Sequence, residues 1–495
     1  MTDSLEMLQL SMAWTALLFF TAFGAIVGSF LNVLVYRLPK GLDVVSPPSA
    51  CPHCETRLTW RENIPVFGWL ALGGKCRFCK SRVSAEYPLV EAFVGLLFGL
   101  IFAAWFMDPS VLGVLPGFSA EAIEPEWAGE RLRRVWPMLA MIYALVAALI
   151  AATLIDARTF TIPLVIPLFM MVVGVVGHTA FGFAMQRTAS GTLAASSRAV
   201  SEHAWTIPVV PLRVALACAG ACAGLLLSLA LQRIGVLKPS YHDYAEWEKA
   251  AIEAEKNQPE PSNPAGPSVL QLLSNVLMLT GPALALMFMG FAVGINRGLP
   301  GEGAAVGAVI GLVVGVLLRA LFSGGASDDD PIWVSYPHAR RETMREVLFL
   351  LPAAALAALV WWLAPSGLVA GPLWWQALSA SLAGLLAGGG VVWGVRILGT
   401  LAIGKEAMGI GDVYLMAGAG AIVGWIDPTI AFFVAPFFGI AWALLSPLLK
   451  SVLKVEGTAL PYGPHLAAAT LLVVLFKPWF EGVLSLVVSR PIDLP

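Results

Sequence analysis

Apolar residues in this chain gather in long runs, with neither the period of two of a half-buried strand nor the narrow stripe of a surface helix, and short polar segments separate the runs. A run of about 18 to 25 residues suffices, at about 1.5 Å per helical residue, to cross roughly 30 Å of hydrocarbon. About twelve such runs are predicted, near residues 12–35, 88–106, 136–155, 162–184, 209–231, 270–292, 303–322, 347–363, 374–394, 413–426, 428–448 and 464–479. The predicted class is an all-α polytopic membrane protein of about 12 transmembrane helices, with the lipid bilayer as solvent and partner. The first run begins near Ser11 without a cationic leader and flows into Gly28-Ser29-Phe30-Leu31-Asn32 with no A-x-A cleavage site, so it reads as a retained span.

Composition sharpens this picture. Of 495 residues, 58% are hydrophobic and 13% charged, and the mean hydropathy is +0.79, more apolar surface than a soluble fold can hide. The net charge of −2 decides nothing by itself, but no basic stripe interleaved with aromatics is present, so nucleic acid is not an expected partner. Between Arg37 and Tyr87 stand eight Lys or Arg against four acids, which assigns that loop to the cytoplasm by the positive-inside rule. The same alternation returns Arg340, Arg341 and Arg345, then Arg396 and Lys405, then Lys450 and Lys454, to the cytoplasmic side. The expected organisation is a first transmembrane helix (1–36), a small cytoplasmic four-cysteine domain (37–87), helices two to four (88–183), a membrane insertion with polar loops (184–373) and a C-terminal transmembrane region (374–495). Within the insertion, Asp328, Asp329 and Asp330 read as a solvated turn, and Cys218 and Cys222 as small core residues one helical turn apart.

Two groups of residues carry candidate chemistry. Cys51 and Cys54, then Cys76 and Cys79, form two C-x2-C knuckles 21 residues apart, the spacing that brings four thiolates around one tetrahedral Zn2+. A reducing cytoplasm favours the metal over two disulfides. About 50 residues form only a small apolar core, so the ion is expected to be structural and to supply much of the domain's folding free energy. His53 lies inside a knuckle, but four cysteines already close the site.

The second group is a pair of aspartates at the ends of apolar runs. Asp156 ends MLAMIYALVAALIAATLI and precedes a segment containing Pro163; Asp412 lies in Met408-Gly409-Ile410-Gly411-Asp412. An ionisable group at such a position usually faces a protein interior or a water-filled cavity. The aspartates are 256 residues apart and six predicted spans intervene, an even number that returns the chain to the same face. Two adjacent carboxyls cannot both ionise cheaply, so one keeps its proton as an acid while the other acts as base toward water. No G-x-S-x-G elbow, H-E-x-x-H or P-loop competes. His465, in Pro461-Tyr462-Gly463-Pro464-His465, reads as a local packing residue.

Taken together, GSFLNVLVYRLPKGL, the CPHC and CRFC knuckles, LIDARTFTIP, MGIGD and PYGP resemble, in order, the signatures of the bacterial type IV prepilin peptidase family, G-x-G-D membrane aspartic proteases also called leader peptidases. The resemblance covers about residues 24–183 and 395–478, with Pro163, Gly409, Gly411, Pro461, Gly463 and Pro464 among its motif positions. It implies that Asp156 and Asp412 activate water and that the four cysteines bind zinc. It further implies a place in the bacterial inner membrane, with prepilins or pseudopilins as substrates cut after a leader-terminal Gly on the cytoplasmic side. Family members often also N-methylate the new N-terminus with S-adenosylmethionine, an activity that here rests on resemblance alone. The chain departs from the family in carrying Tyr414 where members usually have Lys, and in the 184–373 insertion, since members typically have about eight spans. From the residues alone two other readings stay open, a cation carrier or channel using intramembrane aspartates and a G-x-G-D protease for other signal peptides.

Overall fold

A computed structural model describes residues 2–107, 124–129, 132–189, 207–244, 246–247, 249–250, 281–282, 285–286, 289, 338–364, 371–453 and 461–488. The described elements are helical: α1 (Thr2–Arg37), α2 (Phe67–Ala71), α3 (Glu86–Phe106), α4 (Leu132–Thr159), α5 (Val165–Ala189), α6 (Leu212–Arg233), α7 (Ala339–Leu363), α8 (Leu373–Ile403), α9 (Ile410–Val423), α10 (Ile426–Leu453), α11 (Tyr462–Leu475) and α12 (Lys477–Val488).

Eight of these are long and apolar enough to cross a membrane, and α11 with the first half of α12 makes a ninth candidate bent by 84°. The runs expected at 270–292 and 303–322 fall almost wholly outside the described residues. The run expected at 413–426 is the 14-residue α9, whose roughly 21 Å falls short of a bilayer core. Leu18, Phe19 and Phe30 on α1, and Leu168 and Val176 on α5, are exposed, as expected of side chains whose solvent is lipid.

Helix α9 explains its own shortness. Every one of its residues is buried or half-buried, with α8, α5, α4, α10 and α11 packed around it. Gly384 of α8 and Gly420 of α9 lie so close that a Cβ on either would strike the other's carbonyl, so the helix axes approach as only small residues permit. Gly404, at φ 82°, ends α8 in the left-handed conformation, and the chain runs without regular structure to Gly409 before α9 begins inside the bundle. Asp412 therefore starts below the surface of the bundle.

The run expected at 374–394 extends further: α8 continues to Ile403, and Arg396, beyond the expected end, is 2% exposed inside it. The helix tolerates the charge because carboxylates from two other segments meet it, as described below.

Candidate active site and metal centre

Between residues 38 and 85 the buried residues are Cys51, Gly68, Gly74 and Cys76, so this module has no large apolar side chain at its centre. Its two knuckles are one turn built twice. Cys51 donates its N–H to the Thr56 carbonyl at 3.0 Å and accepts from the Glu55 N–H at 2.9 Å; Cys76 bonds likewise to Ser81 at 2.9 Å and Lys80 at 3.1 Å. Glu55 and Lys80 occupy the same left-handed position, at φ 56° and 58°, and each turn is closed by a single antiparallel bridge, Ala50 with Arg57 and Lys75 with Arg82. The N–H groups of Cys54 and His53 point at the Cys51 sulfur and push its thiol down to about 6, toward the thiolate that a metal needs.

All four sulfurs lie within 4.8 Å of one another, with Cys51 and Cys79 at 3.8 Å and Cys54 and Cys76 at 3.9 Å. A tetrahedron with metal–sulfur distances near 2.3 Å has edges of about 3.8 Å, so the donor set fits zinc, and this cluster could hold the ion. The module is fastened to the membrane helices by the Val66 N–H, which donates to Glu91 of α3 at 2.6 Å, and is braced internally by Trp69 Nε1, which donates to the Val83 carbonyl at 3.1 Å. It contains no strand, and its bridges are isolated, so nothing in it offers the strand and glycine-rich turn of a doubly wound methyl-donor site.

The aspartates meet by another route. Asp156 occupies the last turn of α4, where its carbonyl accepts the Phe160 N–H at 2.8 Å; Phe160, at φ 54°, reverses the chain, and Pro163 follows before α5 begins. Asp412 is the third residue of α9, and its carboxylate reaches back to the N–H of Gly409, the N-cap, as in the return half of a capping box. Pro461 is the N-cap of α11, and the N–H of Gly463, in the first turn, donates to Asp156. Both carboxylates thus sit at helix N-termini, whose free N–H groups favour a negative charge.

Both are buried, Asp156 at 4% and Asp412 at 7% exposure, and their charges act on one another. Gly463 faces Asp156 so closely that a Cβ there would collide with the carboxylate. Ile162 bridges the motifs: a Cβ on Gly411 would lie 3.1 Å from its Cβ, and one on Gly463 would lie 3.2 Å from its Cδ1. The segments LIDARTFTIP, MGIGD and PYGP, about 245 and then about 50 residues apart in sequence, therefore converge around two carboxylates. His465 is buried in α11, Pro464 precedes it in the same helix, and Gly409 is exposed at the mouth of its turn.

The sequence reading missed a cluster beside this site. Arg396 pairs with Glu346 of α7 at 2.9 Å and with Glu406, while Arg345 and Arg341 pair with Glu342 at 2.6 and 3.0 Å. His242, Asp243 and Glu342 lie together as a metal site would require, but Arg341 and Arg345 already neutralise Glu342, and the group is an ion-pair cluster. The available signal was an arginine inside the apolar run GGGVVWGVRILG.

Residues 22–105 match the family described as Bacterial Peptidase A24 N-terminal domain. Proteins named prepilin leader peptidase/N-methyltransferase are similar to this chain. The one from Myxococcus xanthus is 50% identical over 80 residues, 16% of this chain and 24% of the relative. That from Dickeya chrysanthemi is 39% identical over 115 residues, 19% and 41%. That from Pseudomonas aeruginosa is 35% identical over 178 residues, 31% and 52%. The matches thus span about a quarter to a half of these relatives' length, and no solved structure matches the chain. They bear out the resemblance read from the motifs: residues 22–105 are similar to the N-terminal domain of bacterial A24 peptidases, and the matched segments to proteins named prepilin leader peptidase/N-methyltransferase.

Proposed function

We propose that the chain is a prepilin peptidase, an aspartic endopeptidase that cuts the leader peptides of type IV prepilins or pseudopilins at the cytoplasmic face of a bacterial inner membrane. The observation that carries this reading is the convergence of the three motif segments around buried Asp156 and Asp412. Two carboxyls whose charges act on one another share one proton, and each is held by one backbone donor, the Gly463 N–H for Asp156 and the Gly409 N–H for Asp412. The ionised carboxylate takes a proton from a water that attacks the scissile carbonyl carbon, and the protonated partner gives its proton to the carbonyl oxygen. Collapse of the resulting diol breaks the C–N bond, and the amine leaves with a proton returned by the dyad. No covalent intermediate is needed.

Cys51, Cys54, Cys76 and Cys79 would hold a Zn2+ that supplies folding free energy to the module and takes no part in the chemistry. The names of the relatives support N-methylation of the new N-terminus from S-adenosylmethionine; the four-cysteine module does not fit a doubly wound methyl-donor site, and no step is routed through that cofactor. Incubation of the purified chain with a prepilin, read by mass spectrometry, tests both activities. A product cut after the leader-terminal Gly is expected. An intact prepilin after incubation with folded, zinc-loaded protein overturns the reading in favour of a cation carrier or a protease for other substrates.

A further inference from the structure

An arginine within a membrane helix is costly unless its donors are met, and Arg396 spends all three of its nitrogens on a single purpose. Nη2 and Nε donate to Glu346 of α7 at 2.9 and 3.1 Å, while Nη1 reaches Glu406 and the backbone carbonyl of Met408. Glu346 is itself 3% exposed and also accepts from Trp393 Nε1 at 2.7 Å. The Tyr241 ring covers the guanidinium at 5.1 Å, and the Tyr241 N–H donates to Glu342 at 2.9 Å, one helical turn before Glu346. The guanidinium therefore ties together α7, α8 and the irregular segment from Gly404 to Gly409. No helix or strand fixes that segment's path; side chains do, with the Ala407 N–H donating to Thr400 Oγ1 at 3.1 Å as a second tie. Met408 stands one residue before the N-cap of α9 and four before Asp412.

We infer that Arg396, held by Glu346 of the 184–373 insertion, is a positioning residue that fixes the turn from Gly404 to Gly411 and thereby aims Asp412. The guanidinium charge reaches Asp412 from α8 across a helix interface. The charged groups that reach Asp412 are Asp156 from α4 and Arg396 from α8, with the Gly409 N–H on its own turn. The insertion is then part of the catalytic apparatus, because Tyr241 and Glu346 both belong to it.

The kinetic arm of the test rests on the aspartic reading above; the structural arm does not. Amide hydrogen exchange of the full chain in detergent, followed by steady-state prepilin cleavage, is measured for Arg396→Gln, Arg396→Lys and Glu346→Gln. Exchange between residues 404 and 411 should quicken by roughly tenfold in Arg396→Gln and about threefold in Glu346→Gln, with residues 413–423 as protected as in the unaltered chain. The kcat should fall roughly 10- to 100-fold in Arg396→Gln with KM unchanged, and Arg396→Lys should recover part of it, because misplacement of a reacting group costs rate and not binding. If Arg396→Gln fails to insert, Glu346→Gln, which keeps the hydrogen-bonding shape, decides. Unaltered exchange between residues 404 and 411 in a folded variant overturns the inference. Absence of cleavage by the unaltered chain overturns the proposed activity and leaves the exchange result to decide this one.

Discussion

The four-cysteine module and the aspartate pair solve opposite problems. The module has four sulfurs and no buried large apolar side chain, and both of its knuckles are made by turns local in sequence. The aspartate pair is enclosed by apolar helices, and its parts come from residues 156–163, 409–412 and 461–463. A site made by local turns survives separation from its surroundings only if something replaces the missing core; a site made by distant segments needs the whole bundle to exist. Disturbing the metal should therefore loosen the first and leave the second assembled, whereas altering the helices should do the reverse.

The largest expected effect falls on the pair. Asp156→Asn and Asp412→Asn should each lower prepilin cleavage by at least about 10³-fold, since an amide of the same shape neither accepts nor releases the required proton and general acid–base catalysis alone is worth about 10² to 10⁴. Zinc content, measured in the same preparations, should remain at the unaltered level. Replacing Cys51 and Cys54 together by Ser should take the metal content from about one zinc per chain to none, read by elemental analysis. It should also expose residues 38–85 to proteolysis, because a structural zinc is worth on the order of 10 kcal/mol to such a domain.

Gly463→Ala comes next. The added Cβ meets the Asp156 carboxylate, and a displacement of about 1 Å can cost roughly 10²-fold in kcat, with zinc content unchanged. The smallest effect is expected where the two regions touch: Arg158, two residues beyond Asp156, pairs with Glu86 at the start of α3. Both side chains are about half exposed, so Glu86→Gln should change thermal stability by no more than about 1 kcal/mol and cleavage by less than twofold. A large loss in that variant would mean that module and aspartate pair act as one unit, against the comparison drawn here.

How much of each region was legible follows from the same contrast. The knuckles could be read from Cys-x2-Cys spacing because a thiolate tetrahedron needs only short-range geometry. Asp156 and Asp412 could be paired only through span parity, and parity gives a shared face without a distance. What joins them, Ile162 between Gly411 and Gly463, is a van der Waals contact that leaves no periodic trace. Arg396 fell beyond the expected end of its run because charge within an apolar run resembles a boundary; its partners Glu346 and Glu406 lie 50 residues before it and 10 after, and only packing brings them to it. The 14-residue α9 was taken for a span because hydropathy measures apolarity and not whether lipid or protein supplies the surroundings.

Helix α9 has no exposed residue, and its Gly418 and Gly420 meet the backbone of α5 and α8. Its sequence is therefore constrained from every direction at once, while α1 can exchange Leu18 or Phe19 for any other apolar side chain at little cost. Divergence in descendants of this chain should accordingly run fast along the lipid-facing helices and slowly through α9, where each accepted change needs a matching one in α5 or α8. Substitution rate along the chain then becomes a record of which helices lie inside the ring and which form it.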